Sequence, residues 1–459
     1  MTILRSPILR QPAVAGAFYP ADPAVLGRMV DDCIYQARIE PVAAKAIVAP
    51  HAGYVYSGAI AGTAYAAVRH LADRVRRVIL LGPAHRHPFR GLAAPSADGM
   101  VTPLGAVPVD REAVDAILGL PDVQILDAAF DGEHSLEVHL PFLQRTFHDF
   151  TVVPLVVGTC APQAVETVLE RLWGGPETLI VVSSDLSHFH DYDTARGLDL
   201  AASQAIETAA PEKLNGDYAC GYKPVSGLLL RALKLDLRAT TRDLRNSGDT
   251  AGDRNRVVGY GAYTFEDAEH ARLSDAHRKQ LLDCAHQSLR HAVERGRPPS
   301  VAVETFPMPL RALRKTFVTL EIDGALRGCI GTLQPINPLI TDVVENTYKS
   351  AMQDPRFGPM TAAEVERVDI TVSILSHSRP IAFTDEADLL ARLRPDVDGL
   401  VIRDQGRGAL FLPKVWDALP DPRAFLRNLK AKAGLAPDHE SGTLQAFRFT
   451  AETFGTTGA

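Results

Sequence analysis

The sequence predicts an α/β protein: a mostly parallel sheet flanked by helices, followed by a smaller α+β unit with antiparallel hairpins. Three observations carry this prediction. Short apolar runs alternate with amphipathic stretches through the first 268 residues, which is the pattern of repeated βα units. Those runs are continuously apolar rather than alternating, as strands buried on both faces require. Beyond residue 268 the strand-like runs come in pairs around Gly-containing turns, the mark of hairpins.

Taken in order, residues 23–37 read as a helix before the first strand, Ala46-Ile-Val-Ala49. A helix over 60–70 precedes the strand Val78-Ile-Leu-Leu81, and helices over 111–118 and 164–173 precede strands at 152–157 and 179–182. A further helix is expected from Tyr192 to Ala209. The strand-like run 257–265 ends this region, and the boundary is placed near residue 268, giving units 1–268 and 269–459. Ser274 is expected to cap the next helix, whose Leu281, Leu282, Ala285, Leu289 and Ala292 share a face, with Pro298-Pro299 closing it. Strands 317–322 and 325–330 flank Asp323-Gly324, a pair suited to a type I′ turn. A helix over 338–352, a strand over 368–375, a second hairpin around 404–408 and a helix over 422–433 complete the unit.

Composition narrows the function. With 459 residues, 46% hydrophobic and 22% charged, the chain is too long for one core and ordinary for a globular protein. The five cysteines (33, 160, 220, 284 and 329) are odd in number and form no CxxC pair. A disulfide framework and a zinc ribbon are therefore disfavoured, and a reducing cytoplasm is expected. No apolar leader core and no run of about 18 apolar residues is present, so neither a signal peptide nor a membrane span is expected. Residues 1–268 hold 24 Lys+Arg against 31 Asp+Glu, and residues 269–459 hold 24 against 24, so neither unit offers a basic surface for nucleic acid. The absence of GxSxG, a Walker loop and a strand-linked GxGxxG argues against a serine hydrolase, an NTPase and an NAD enzyme.

Nine of the fifteen histidines lie in the first unit, and three apolar strands run directly into a histidine or aspartate. The strand 46–49 leads to His51, the strand at 78–81 leads to His85 and His87, and the strand at 179–182 leads to Asp185 and His188. Ligands of open α/β sheets bind beyond the carboxyl ends of strands. A fourth segment, Glu133-His-Ser-Leu-Glu-Val-His139, joins this set; if helical, it puts Glu133 and Glu137 on one face and Ser135 and His139 on another. Imidazoles and carboxylates on rigid strand ends suit a transition metal with an open coordination position. His70, His148 and His190 read as ordinary loop or cap histidines. His87 and His139 fit either reading, and Tyr54, Val55 and Tyr56 fit pocket wall or core equally.

His51-Ala-Gly-Tyr-x-Tyr-Ser-Gly58, Gly82-Pro-x-His85, Glu133-His-Ser-Leu-Glu-x-His-Leu-Pro-Phe142 and Ser183-Ser-Asp-x-Ser-His188 resemble the Memo family over about residues 10–266. That family's fold is similar to class III extradiol dioxygenases. The resemblance implies a metal held by His51, His85 and Cys220, iron(II) or copper(I) ahead of zinc, with Asp185 and His188 nearby. A soft thiolate in place of a carboxylate departs from the 2-His-1-carboxylate pattern and argues against ring cleavage. In the redox reading His188 and His139 are candidate catalytic groups, and Asp185 orients a histidine or balances metal charge. Leu326-Arg-Gly-Cys-Ile-Gly-Thr332, with Asp354-Pro-Arg-Phe357 and Gly399-Leu-Val-Ile402, resembles the AMMECR family over about 272–455. Cys329 there reads as a reactive thiol beside Arg327 or, on the favoured reading, as part of a structural or ligand-facing strand. Chains joining these two domains resemble members of a system with a radical-SAM protein, which implies such a partner. A small molecule or peptide is expected in the metal cleft. The functions in contention are a metal-dependent oxidoreductase, a binding or scaffold module, and a metal-handling protein for the radical-SAM partner, with a zinc hydrolase ranked fourth because zinc also accepts two histidines and a cysteine with an open water.

Overall fold

The computed structural model describes residues 6–268 and 271–456, in two compact units, Met1–Asp267 and Ala268–Ala459. Residues 269 and 270, beside the expected boundary, lie outside the described residues.

The first unit is built on a nine-stranded mixed sheet. Its centre is four parallel strands in the order Ala46–Ala49, Thr178–Ser183, Arg77–Pro83 and Thr151–Val157. All but the first residues of the two long central strands are buried, which accounts for their unbroken Val, Ile and Leu. Antiparallel strands extend both edges: Leu92–Ala94 on one side, and Val257–Asp267 with Leu237–Asn246 on the other. The short strand His188–His190 also pairs with Val257–Asp267.

The helix expected over 60–70 begins earlier and runs Tyr54–Val68, followed by a 3₁₀ turn. Twelve of its fifteen residues are buried, so it has no polar stripe to mark its start. It packs closely on Pro23–Gln36, since a Cβ at Gly62 would stand 2.3 Å from the Cys33 carbonyl oxygen. The segment after Gly132 is not a helix. It passes through turns into a 3₁₀ turn, Glu137–His139, and only then into the helix Leu140–Thr146. Gly132 has a φ of +66°, and the Glu133 carboxylate takes the backbone N–H groups of His134 and Ser135. This local capture competes with helix formation. Glu133 and Glu137 accordingly point to different partners.

The second unit contains two four-stranded antiparallel sheets. The first has the order Ala325–Gly331, Lys315–Ile322, Val368–Leu375 and Ala451–Gly455. Val318, Leu320, Ile370 and Val372 join Leu281, Ala285, Leu289, Ile340 and Val343 in one core, with the helices Asp275–Arg295 and Leu339–Met352 supplying the other half. Asp323 and Gly324 have φ values of 51° and 76°, the type I′ geometry expected. The second hairpin turns more tightly than the sequence indicates, with Gln405-Gly406 between Gly399–Asp404 and Arg407–Phe411.

Helix propensity favours alanine over glycine by about 1 kcal/mol, whereas overpacking against backbone costs about 1–3 kcal/mol. Gly62→Ala is therefore expected to lower the stability of the first unit. Amide exchange in the strands Ala46–Ala49 and Thr178–Ser183 reads this out as faster exchange. Unchanged or slower exchange would contradict the close helix contact.

Candidate metal centre

Ala49 lies opposite Ser183 in the parallel pair, so His51 and Asp185 follow at the same level of the sheet edge. The next strand pairs Leu81 with Val182 and delivers His85 to that edge. Asp185 Oδ1 accepts the backbone N–H of His51 at 2.7 Å, clamping two adjacent strand ends. Glu133 clamps the third. Its carboxylate accepts the His85 backbone N–H at 2.6 Å, the His85 ring Nδ1–H at 3.0 Å, and the backbone N–H groups of His134 and Ser135 at 2.9 Å each. Burial works against the charge on Glu133, but the hydrogen bonds from the His85 ring and from the backbone of His85 and Ser135 outweigh it and hold the carboxyl at about 2.

Three imidazoles converge above this frame: His51, His85 and His134. One ring nitrogen of each lies within 4.8 Å of those of the other two. The His85 and His134 rings are stacked with centroids 4.7 Å apart, and His51 meets them edge-on at 5.0 and 5.4 Å. The hydrogen bonds assign the tautomers. The Ser183 hydroxyl donates to the Ser135 carbonyl at 2.6 Å, so its proton is used, and the 2.6 Å contact with His51 must be donated by Nδ1–H. The carboxylate of Glu133 can only accept, so His85 also carries its proton on Nδ1. His51 therefore keeps an Nε2 lone pair in its neutral form. Burial, reinforced by the neighbouring histidines, pushes His51 well below its ordinary value, and burial brings His134 down to about 4. Both are neutral near pH 7, the form that binds metals.

Cys220 lies against this cluster with its Sγ 3.3 Å from His51 Nε2, which makes the thiol the donor. Burial and the charge of Asp185 push its titration far up. Burial raises Asp185 itself to about 7, against the pull of the His51 and Ala52 backbone N–H groups. His188 donates Nδ1–H to the Leu186 carbonyl at 2.8 Å, leaving its Nε2 as a base, and burial lowers its titration. The next residue, Phe189, has a φ of 64° and is 60% exposed, so the chain turns His188 inward and Phe189 outward. Such a conformation costs on the order of 1–3 kcal/mol for a non-glycine residue and gathers at functional sites.

The structure thus brings together His51, His85, Asp185, His188 and Cys220 from the expected set. His139 stands apart. It is buried beneath the edge, bonded to the Tyr65 hydroxyl at 2.9 Å, and pushed by burial to about 3. His87 is exposed outside the three-imidazole group. Tyr54 is core, its hydroxyl bonded to the Val138 carbonyl, while Val55 and Tyr56 are exposed. The residue that sequence reasoning passed over is His134. Its only signal is its position between Glu133 and Ser135, and in an irregular segment no periodicity tells which way it points.

The profile of the Memo-like protein family matches residues 10–264. The chain belongs to the Memo-like family. A second profile, AMMECR1, matches residues 282–454, so this is a two-domain Memo–AMMECR1 chain. A MEMO1 family protein of Methanosarcina barkeri is 36% identical over 281 residues, covering 56% of this chain and 100% of that protein. One from Aquifex aeolicus is 36% identical over 270 residues, covering 56% and 99%. The crystal structure of an uncharacterised protein from Pyrococcus horikoshii overlaps 40% of this chain and 94% of its own at 29% identity, with a TM-score of 0.38. No helix among the described residues is long and apolar enough to cross a membrane.

In the AMMECR1 domain the Arg-Gly-Cys-Ile-Gly string is a strand. A Cβ at Gly328 would stand 2.1 Å from the Ser350 carbonyl oxygen, and one at Gly331 would enter the Phe317 ring. Both glycines are required by close approach. Arg327 pairs with Glu364 at 2.7 Å, and the thiol of Cys329 accepts from the Thr319 hydroxyl at 3.3 Å. The cation bonded to the Cys329 backbone is Arg356, whose guanidinium donates to the carbonyl at 3.2 Å.

Nitrogen-15 NMR of the metal-free Memo domain within the full chain is expected to show His51, His85 and His188 as Nδ1–H tautomers at neutral pH. Nε2–H signals for His51 and His85 would contradict the hydrogen-bond assignment.

Proposed function

We propose that the Memo domain is a metal-dependent oxidoreductase centre that uses iron(II) or copper(I) on a small molecule. The observation that carries this reading is the cluster of three imidazoles, two of them, His51 and His85, anchored at Nδ1 and following strand ends of a rigid sheet, with His134 on the adjoining turn. A metal fits the residues present. The buried Nδ1 of His134 has no hydrogen-bond partner, and His51 and His134 are held neutral. His51, His85 and His134 would hold the ion, with the soft thiol of Cys220 beside them favouring iron or copper over harder cations. Bound there, the ion supplies Lewis acidity and electron transfer.

The chain's own groups do the rest. Ser183 and Glu133 fix the two ring orientations, the role that outer hydrogen bonds play at metal sites. Asp185 positions His51 through its backbone and places a carboxyl 3.9 Å from its Nε2. His188 is the candidate general base, neutral and with Nε2 free to accept a proton. His139, engaged with Tyr65 through Nδ1, lies outside the three-imidazole group.

The contact between Cys220 and His51 favours a second reading, in which the domain sequesters or delivers a soft metal for a radical-SAM partner. Cys220-dependent co-purification of the two proteins supports that reading, and capture unaffected by Cys220→Ser counts against it.

Elemental analysis of anaerobically purified protein is expected to give about one iron or copper per chain, and His51→Ala with His85→Ala to abolish it. Unchanged metal content in the double variant would remove the site. Ser183→Ala is expected to weaken metal binding about 10–100-fold by releasing the His51 ring; a chelator competition that finds equal affinity would show that this hydroxyl does not matter.

A further inference from the structure

Cys220 has a second neighbourhood. It also forms part of the wall of a cavity of about 150 Å³. Pro83, Pro88, Phe89, Val157 and Pro224 supply apolar walls, and Lys223 supplies the cation. Lys223 is half-buried, and among the described residues no carboxylate pairs with its ammonium. Its nearest aromatic contact is the Tyr222 ring, 5.6 Å from the ammonium. The helix Tyr222–Leu235 begins at this wall, with no acidic residue in its first turn and no side-chain cap. A half-buried cation without a carboxylate partner, lining a partly open space of mixed polar and apolar walls, is complementary to a small anion that also carries an apolar body.

Size selects further. Pockets for drug-sized ligands run to roughly 300–1,000 Å³. The present cavity is well below that, so it suits a ligand of few heavy atoms, such as a small acid, rather than a drug-sized one. Bare phosphate would satisfy Lys223 but would leave the proline and phenylalanine walls uncovered.

We propose that this cavity is the substrate subsite and that it takes a small organic acid: the carboxylate on Lys223, the apolar body against Phe89 and the prolines, and the reacting end beside Cys220. The reacting end thereby lies next to His51, whose Nε2 is 3.3 Å from the Cys220 sulfur. The proposal rests on the reading of the histidine cluster as the reacting centre, and it adds the class of substrate.

The test is calorimetric titration of the full-length protein with isovalerate, run before and after treatment with a chelator, with metal content measured on the same samples. Isoamyl alcohol, of similar shape without the charge, and inorganic phosphate, with charge and no apolar body, are the comparison probes. Isovalerate is expected to bind saturably, and both comparison probes at least about tenfold more weakly. Lys223→Gln is expected to weaken isovalerate about tenfold or more without changing metal content, and Lys223→Arg to keep most of the affinity. No saturable binding by metal-loaded protein overturns the proposal alone. So does equal binding of the alcohol, or an unchanged affinity in Lys223→Gln. Lys223-dependent binding in a protein that never acquires metal supports the acid subsite while removing the redox reading.

Discussion

One buried carboxylate, Glu133, holds the site in place. Its side chain is 1% exposed, and a charge so placed is costly unless it is fully hydrogen-bonded. The donors that satisfy it come from the His85 strand end and from the segment bearing His134. Burying Glu133 therefore ties the ring and strand end of His85 to the segment that carries His134. The Ser183 hydroxyl extends the same logic to the third, because its single proton goes to the Ser135 carbonyl and it must then accept from His51. The residues Glu133 to Ser135 form a hub to which all three rings are tied, and an irregular backbone there is the condition for it.

The sheet supplies the rigidity this hub needs. Parallel strands fix the levels at which His51, His85 and Asp185 emerge, and their carboxyl ends face one edge. Burial then keeps His51 and His134 neutral, so these two donors face no competition from protons near neutral pH. Cys220, just before the helix Tyr222–Leu235, touches His51 and also lines the small cavity beside Lys223. Two environments, a set of imidazoles and a small cavity of mixed polarity with one cation, thus share a single thiol.

Much of the framework was legible in the sequence, for physical reasons that can be named. The strand Ala46–Ala49 and the strand Val368–Leu375 coincide with their apolar or alternating runs, and Asp323-Gly324 announces its turn because few other pairs tolerate positive φ twice. The helix Tyr54–Val68 was misplaced at its start because total burial erases amphipathicity. The helix Tyr222–Leu235 and the strand Leu237–Asn246 were not read at all. The strand is rich in charge and threonine, and it pairs in register with Val257–Asp267 through a bulge near Thr241, a long-range fact that local pattern does not carry. At the site, residues at strand ends were legible, because strand direction tells where they emerge. His134 and the true role of Glu133 were not, because both depend on a hydrogen-bonded turn. The same limit applies to Arg327, whose neighbour in sequence is Cys329 but whose partner in space is Glu364.

The central claim is that three loops converge on one ion at the sheet edge. Anomalous X-ray diffraction at the iron or copper edge, from crystals of metal-loaded full-length protein, tests it most directly. The account predicts one strong peak at about 2 Å from ring nitrogens of both His51 and His85. A metal-loaded crystal with its peak elsewhere, or with those two rings turned away from it, would contradict the account.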